Sequence, residues 1–191
     1  MSEDRGAESL EGRLLVAMPG MLDSRFERAV IYICAHSAEG AMGLIVNKVA
    51  SELSFGELIS QLGIKWDGVL NGPRIHIGGP VENGRGFVLH SLDYSLDEAT
   101  MVVDDEIGMT ATLDILKDIA AARGPEDSIL ALGYSGWGPG QIEGEIRDNG
   151  WLICPAESEI IFRLPDESKW GAAMRSIGID PRLLSAEGGS A

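Results

Sequence analysis

Ser128-Ile129-Leu130-Ala131-Leu132-Gly133-Tyr134-Ser135-Gly136-Trp137-Gly138-Pro139-Gly140-Gln141 carries an apolar run straight into a segment with four glycines. Ser128 to Gly133 reads as a buried strand, because consecutive apolar residues bounded by turn formers suit a strand covered on both faces. The glycines from Gly133 to Gly140 read as a turn. Gln141 to Gly150 follows as a short helix with an Asn149-Gly150 stop, and Trp151-Leu152-Ile153-Cys154-Pro155 as the next strand. Strand, helix and strand in that order permit a right-handed parallel crossover near its minimum length.

Upstream the pattern is more antiparallel. Leu14 to Met18 is a strand stopped by Pro19-Gly20. Ala29 to His36 and Ala41 to Asn47 form a hairpin around Ser37-Ala38-Glu39-Gly40. Ser54-Phe55-Gly56-Glu57 has the capping-box spacing, with Leu53 and Leu58 in the staple positions and Phe55, Leu58, Ile59 and Leu62 on one face up to Gly63. Arg74 to Gly78 and Gly86 to His90 are further strands around a loop rich in turn formers. Helices are expected over Thr112 to Arg123, with Leu113, Leu116, Ile119 and Ala120 inward, and over Asp166 to Ile177, with Trp170, Ala173, Met174 and Ile177 inward. Asp104-Asp105-Glu106 reads as a solvated acidic loop. The sum is a mixed sheet with helices packed on it.

The 191 residues, 45% hydrophobic and 24% charged, suit one domain with a sizeable core. Residues 13–184 are expected to form it, with 1–12 and 185–191 as disordered acidic or polar tails. The start lacks a basic and apolar leader, and no apolar run approaches the roughly 18 residues of a membrane span. A cytoplasmic protein without membrane contact is therefore expected. A net charge of −15, with four lysines and eleven scattered arginines, argues against direct nucleic-acid binding. Cys34 and Cys154 lie far apart in apolar segments and read as reduced core residues.

Several chemistries can be weighed against the spacing. The Gly-x-Ser-x-Gly elbow fails at Trp137, which stands where the second glycine is needed, so a hydrolytic Ser135 with His36 or His90 is the alternative and a tight turn the first reading. The turn matches neither the dinucleotide fingerprint nor the lysine-bearing phosphate loop, and Glu143 and Glu145 at the following helix would repel phosphate. Cys34 and His36, two apart on one strand, share a face, which allows a thiol tuned by imidazole and makes Cys34 the redox candidate. They are only two ligands, and His76, His90 and Cys154 join them only if the fold converges, so no metal and no other cofactor is expected.

Val16-Ala17-Met18-Pro19, Phe26 to His36, Gly40 to Lys48, Gly78-Gly79-Pro80-Val81 with Arg85 to His90, and Gly133 to Trp137 with Gly140-Gln141 together resemble the YqgE/AlgH family of bacterial proteins. The resemblance spans nearly the whole chain. It implies a single compact α/β domain whose mixed, bifurcated and partly barrel-like sheet is surrounded by helices. It implies no catalytic set, and its association with transcriptional regulation comes without a DNA-binding element. Ala35 departs from the pattern, since an acidic residue commonly separates the cysteine and histidine there. Asn47, Gly79, Ser135, Trp137 and Gly138 are the candidate ligand-binding positions. The expected function is a non-enzymatic regulatory or interaction protein working through a protein partner or a small ligand; the alternative is a small hydrolase or ligand-binding enzyme using the 133–140 turn. Oligomeric state is left open.

Overall fold

The computed structural model describes residues 8–66, 68 and 72–184, and orders them as β1 (Arg13–Ala17), β2 (Val30–Ser37), β3 (Gly40–Ile45), α1 (Phe55–Gln61), β4 (Ile75–Ile77), β5 (Val81–Ser91), β6 (Thr100–Val102), β7 (Ile107–Thr110), α2 (Leu113–Ala120), β8 (Ser128–Trp137), α3 (Gln141–Arg147), β9 (Trp151–Pro155) and α4 (Asp166–Ser176). The strands make one sheet in the order β6-β7-β5-β8-β3-β2-β1-β9, with β4 paired in parallel to β8. The sheet is mixed, bifurcates at β8 and curls into half a barrel, so the molecule is a single α/β domain. Among the described residues no helix is long and apolar enough to cross a membrane.

The expected hairpin of β2 and β3 forms. So does the capped helix: the Ser54 hydroxyl accepts the Glu57 N–H at 3.1 Å at the start of α1. The stretch quoted first behaves differently. Its strand does not stop at Gly133 but runs on to Trp137, and the turn shrinks to Gly138-Pro139-Gly140. β9 does not sit beside β8; it pairs antiparallel with β1 at the far edge, with β3, β2 and β1 between. The crossover therefore links strands of the same sense that are not neighbours, because the β1–β2–β3 meander occupies the place a simple strand-helix-strand unit would take.

The bifurcation has a definite cause. At Leu130 to Leu132, β8 has β4 on one edge and β5 on the other. Gly78-Gly79-Pro80, which joins β4 to β5, must therefore pass over β8 at Gly133 and Tyr134. A Cβ on Gly79 would overlap the Tyr134 backbone, and one on Gly133 would lie 2.5 Å from the Gly79 carbonyl oxygen. Gly133 itself takes φ +73°. That left-handed residue shifts the alternation of side chains along β8. Ile129 and Ala131 before it, and Tyr134 after it, all face the central core. Beyond the crossing, β3 replaces β4 on the same edge, pairing Gly43 with Ser135 and Ala41 with Trp137.

Three apolar clusters follow. The central one, inside the curl, joins Leu14, Tyr32, Leu44, Leu89 and Ile129 to Ala173 and Met174 of α4. On the outer face, Ile31, Ile33 and Trp137 pack with Ile142 of α3, and on the other half Val88 and Leu130 pack with Phe55 and Ile59 of α1 and Ile115 and Leu116 of α2. Val30 to Ile33 are fully buried, since both faces of β2 are covered, which is why that strand reads as an unbroken apolar run. Leu62, Leu113 and Ile177, expected inward, are exposed; Ile115 takes the inward place on α2. The acidic loop is the β6–β7 turn, in which Asp104 accepts the Tyr32 hydroxyl at 2.8 Å. Of the expected tails, Leu10 is buried in the outer cluster and the Gly12 N–H donates to the Ile33 carbonyl at 2.9 Å, while 1–7 and 185–191 lie outside the described residues.

Gly79→Ala is expected to cost about 3 kcal/mol or more, because the overlap is with backbone and no side chain can move to relieve it. Gly84→Ala, where an added Cβ meets nothing within 4 Å, should change stability by less than about 0.5 kcal/mol. Denaturant midpoints decide it, and equal midpoints for the two variants would contradict the crossing.

Candidate functional site

Trp137 at the end of β8 and Trp151 at the start of β9 flank the connection that contains α3. Gly140 takes φ +73°, which turns the chain into α3, and the Gln141 side chain accepts the Gly138 N–H at 3.0 Å. One turn later, Glu145 meets Gln141 at the i,i+4 spacing, and Gln141 Nε2 donates to Glu145 Oε2 at 3.0 Å. The other carboxylate oxygen, Oε1, accepts Trp137 Nε1 at 3.2 Å and Trp151 Nε1 at 3.1 Å. The two indoles stand edge to face with centroids 6.2 Å apart, and Phe26 packs on Trp151 at 5.7 Å in the same manner.

This aromatic and carboxylate group floors a cleft of about 1210 Å³. Its walls are the Met18 to Phe26 loop, Pro80 and Val81 from the chain crossing, the end of α3 with Asp148 and Asn149, and Leu183-Leu184. A shallower hollow of about 760 Å³, with His36, Arg85 and Tyr134 on its rim, lies beside it and shares Val81, Gly136 and Trp137.

Of the residues singled out from sequence, Trp137 lines the cleft and the others are committed elsewhere. Ser135 is fully buried, and its hydroxyl donates to the Gly78 carbonyl at 3.1 Å, clamping the crossing. Gly79 is the crossing itself. The Gly138 amide is held by Gln141. Asn47 accepts the Val30 N–H at 2.9 Å and donates to the Arg28 carbonyl at 2.8 Å, holding the turn in which Arg28 takes φ +52°.

Ser135, His36 and His90 are not brought together. His36 Nδ1 accepts the Leu10 N–H at 3.0 Å, so the ring proton sits on Nε2 and is donated to Glu143 at 2.6 Å. His90 donates from Nδ1 to the Ser91 carbonyl at 2.9 Å and accepts Thr110 Oγ1 at 2.8 Å. The shared face of Cys34 and His36 is also lost. A bulge between Ile33 and Ala35 sets two residues of β2 against one of β3, and the alternation slips. Cys34 then points into the central core, and His36 turns to α3 on the outer face. Both cysteines are free and buried; burial pushes the Cys34 thiol up to about 12 and that of Cys154 up to about 11.

Among the described residues no group of three or more histidine, cysteine, aspartate or glutamate side chains is arranged to hold a metal ion. A polar network does exist that spacing could not reveal, because its two halves, Arg74 with His76 and Asp166 with Lys169, are about ninety residues apart. Asp166 Oδ1 meets His76 Nε2 and Lys169 Nζ, each at 2.9 Å, and Oδ2 meets Arg74 at 3.1 Å. Lys169 also donates to the Val46 and Ile161 carbonyls at 2.8 and 2.7 Å, so all three of its protons are received. Burial raises the Asp166 carboxyl, but hydrogen bonds from His76 and Lys169 outweigh it and hold the group well below the usual range. Glu145 and Trp151 were missed for a different reason: their meaning depends on α3 lying between the two tryptophan-bearing strand ends.

Residues 14–182 match the family model described as DUF179: AlgH-like. The chain is 53% identical over 189 residues to a UPF0301 protein of Methylobacterium sp. (strain 4-46), covering 95% of this chain and 90% of that one. It is 54% identical over 193 residues to a UPF0301 protein of Bradyrhizobium diazoefficiens, covering 95% and 88%. The solution structure of the AlgH protein from Pseudomonas aeruginosa superposes with a TM-score of 0.75 at 39% identity, over 96% of this chain and 97% of that one. A crystal structure of a Corynebacterium diphtheriae protein, at 22% identity and a TM-score of 0.73 over 94% and 93% of the two chains, shares the fold.

Two measurements follow from these environments. Neither thiol should react with Ellman's reagent at pH 8 in the native chain, at least about a hundredfold more slowly than in denaturant, since burial withholds the thiolate; fast native labelling of Cys34 would contradict its burial. Burial also lowers His90, so the unfolded chain takes up a proton there before the folded one does. Stability should therefore fall as pH drops below about 6.5, and fall again below about 4, where the unfolded chain takes up protons at Asp166 and Glu143 that the folded chain, holding both low, does not. Denaturant midpoints at pH 8, 6, 5 and 3 test this, and a His90→Gln variant should lose the first step.

Proposed function

The chain belongs to the AlgH-like family, and from that premise we propose that it is a cytoplasmic, non-enzymatic regulatory or interaction protein that works through a partner or ligand seated in the cleft, without direct DNA contact. The observation that carries this reading is the cleft itself: about 1210 Å³, floored by two tryptophans fixed on one carboxylate. Sites of this kind, apolar with a few placed polar groups, are what binding proteins present. The groups a hydrolase would need point the other way. Ser135 is buried on a carbonyl, and both ring nitrogens of His36 and of His90 have partners elsewhere. The net charge of −15 opposes a phosphate backbone.

Two experiments test it. A photo-crosslinking residue placed in living cells at Leu22 or Leu183, both exposed at the cleft, should give adducts that a remote exposed site such as Leu113 does not. Those adducts should vanish in Gly20→Trp, which fills the cleft from a position where an added Cβ meets nothing within 4 Å. Adducts indifferent to that change would overturn the cleft reading. Duplex DNA should give no retained complex at about 150 mM salt; tight binding with a steep salt slope would refute the clause on DNA.

A further inference from the structure

We infer that the cleft takes a basic side chain, arginine or lysine, carried on an apolar segment of a partner protein, with its cation against the Glu145 carboxylate. The inference rests on the reading of the cleft as a partner site. Glu145 receives three neutral donors, two on Oε1 and one on Oε2. These fix its orientation without cancelling its charge. An ionised carboxylate offers about four acceptor positions, so one remains, on Oε2.

No lysine or arginine pairs with Glu145 among the described residues. Asp148, on the same end of α3, adds a second negative charge to the wall. Among the described residues lining the cleft the one cation is Arg25, and it is already forked onto Asp23, Nε at 3.0 Å and Nη2 at 2.7 Å. The lining is thus negative on a chain whose net charge is −15.

The surroundings match the rest of such a segment. The two indoles are buried, packed edge to face, with their N–H groups on Oε1, so they hold the carboxylate in place for a cation rather than stack on it. Met18 and Met21 on the wall offer an adaptable apolar surface, while Leu22 and Leu183 stand 99% and 82% exposed where flanking apolar residues would lie. At about 1210 Å³ the cleft also exceeds the roughly 300–1000 Å³ of ordinary small-molecule pockets, which favours a peptide over a free amine.

The test is an immobilised array of random nonapeptides probed with the labelled full chain. Retained peptides should be enriched in arginine or lysine beside apolar residues. Replacing that arginine by citrulline, equal in shape but uncharged, should weaken binding roughly tenfold or more, and so should Glu145→Gln. The glutamine can still accept both indole N–H groups, so an unchanged melting midpoint certifies the fold; Asp148→Asn, which leaves the indoles untouched, should weaken the same peptides in the same direction. Enrichment in acidic or uncharged peptides, or retention indifferent to Glu145→Gln, overturns the inference. Free n-butylguanidinium binding as tightly as the peptides overturns the choice of a protein partner. An empty array alongside adducts at Leu183 that Gly20→Trp abolishes sinks this inference alone, while absence of those adducts sinks the cleft reading with it.

Discussion

The contact on which the rest of this molecule depends is one stretch of backbone laid across another. Three residues, Gly78-Gly79-Pro80, carry the chain from one edge of β8 to the other, and they can do so only because neither Gly79 nor Gly133 has a side chain at the point of contact. Ser135 secures the crossing by donating to the Gly78 carbonyl, whose oxygen also accepts the Ile45 N–H at 2.9 Å. That carbonyl therefore ties together β3, β8 and the end of β4. The left-handed Gly133 lets one strand serve two half-sheets while keeping a single core on its inner side. Without the crossing, β4 and β3 would compete for one edge, and the sheet would have no reason to fork.

Much of this architecture was legible because local patterns agree with it. Ala29 to His36 read as a strand, and Val30–Ser37 is one; Ser54 and Glu57 read as a helix start and are one; Asn149 takes φ +61° at the predicted helix stop. What could not be read was how the pieces meet. The glycines at 78, 79 and 133 look like turn formers in sequence, and nothing local says that two of those runs lie on top of each other. β6 and β7 escaped because Thr100–Val102 and Ile107–Thr110 are short and flank an acidic turn whose anchor, the Tyr32 hydroxyl, lies seventy-two residues away. The period-2 rule placed Cys34 and His36 on one face, and a single inserted residue in the ladder was enough to part them.

The same bulge explains why candidate chemistry dissolved into structure. His36, turned outward, bonds the Leu10 amide and Glu143 and so pins the start of the described chain to α3. His90 belongs to a hydroxyl relay through Thr110 to Thr100, which accepts the Leu96 N–H. His76 shares Asp166 with Lys169 beneath α4. Burial pulls the Lys169 ammonium below its ordinary range while the Asp166 carboxylate works against that, so the pair holds as a satisfied network rather than as a reactive couple. In each case the ring or ammonium nitrogens have found their partners within the fold, which is what desolvation demands.

Glu145 differs in that all three of its donors are neutral, and its position follows from the crossing. By extending β8 past Gly133, the crossing carries Trp137 to the outer face, where α3 begins. The displacement of β9 to the far edge of a curled sheet brings Trp151 around to meet it. A carboxylate on the intervening helix then lies within reach of both indole N–H groups, and Pro80 and Val81, just past the crossing, form one wall of the space above. The cleft is thus assembled from strand ends, a helix and a short connection fixed by backbone contact. For the partner proposed above, selectivity would rest on what such elements already hold in place: two aromatic edges and, among the described residues, a carboxylate without a counter-ion.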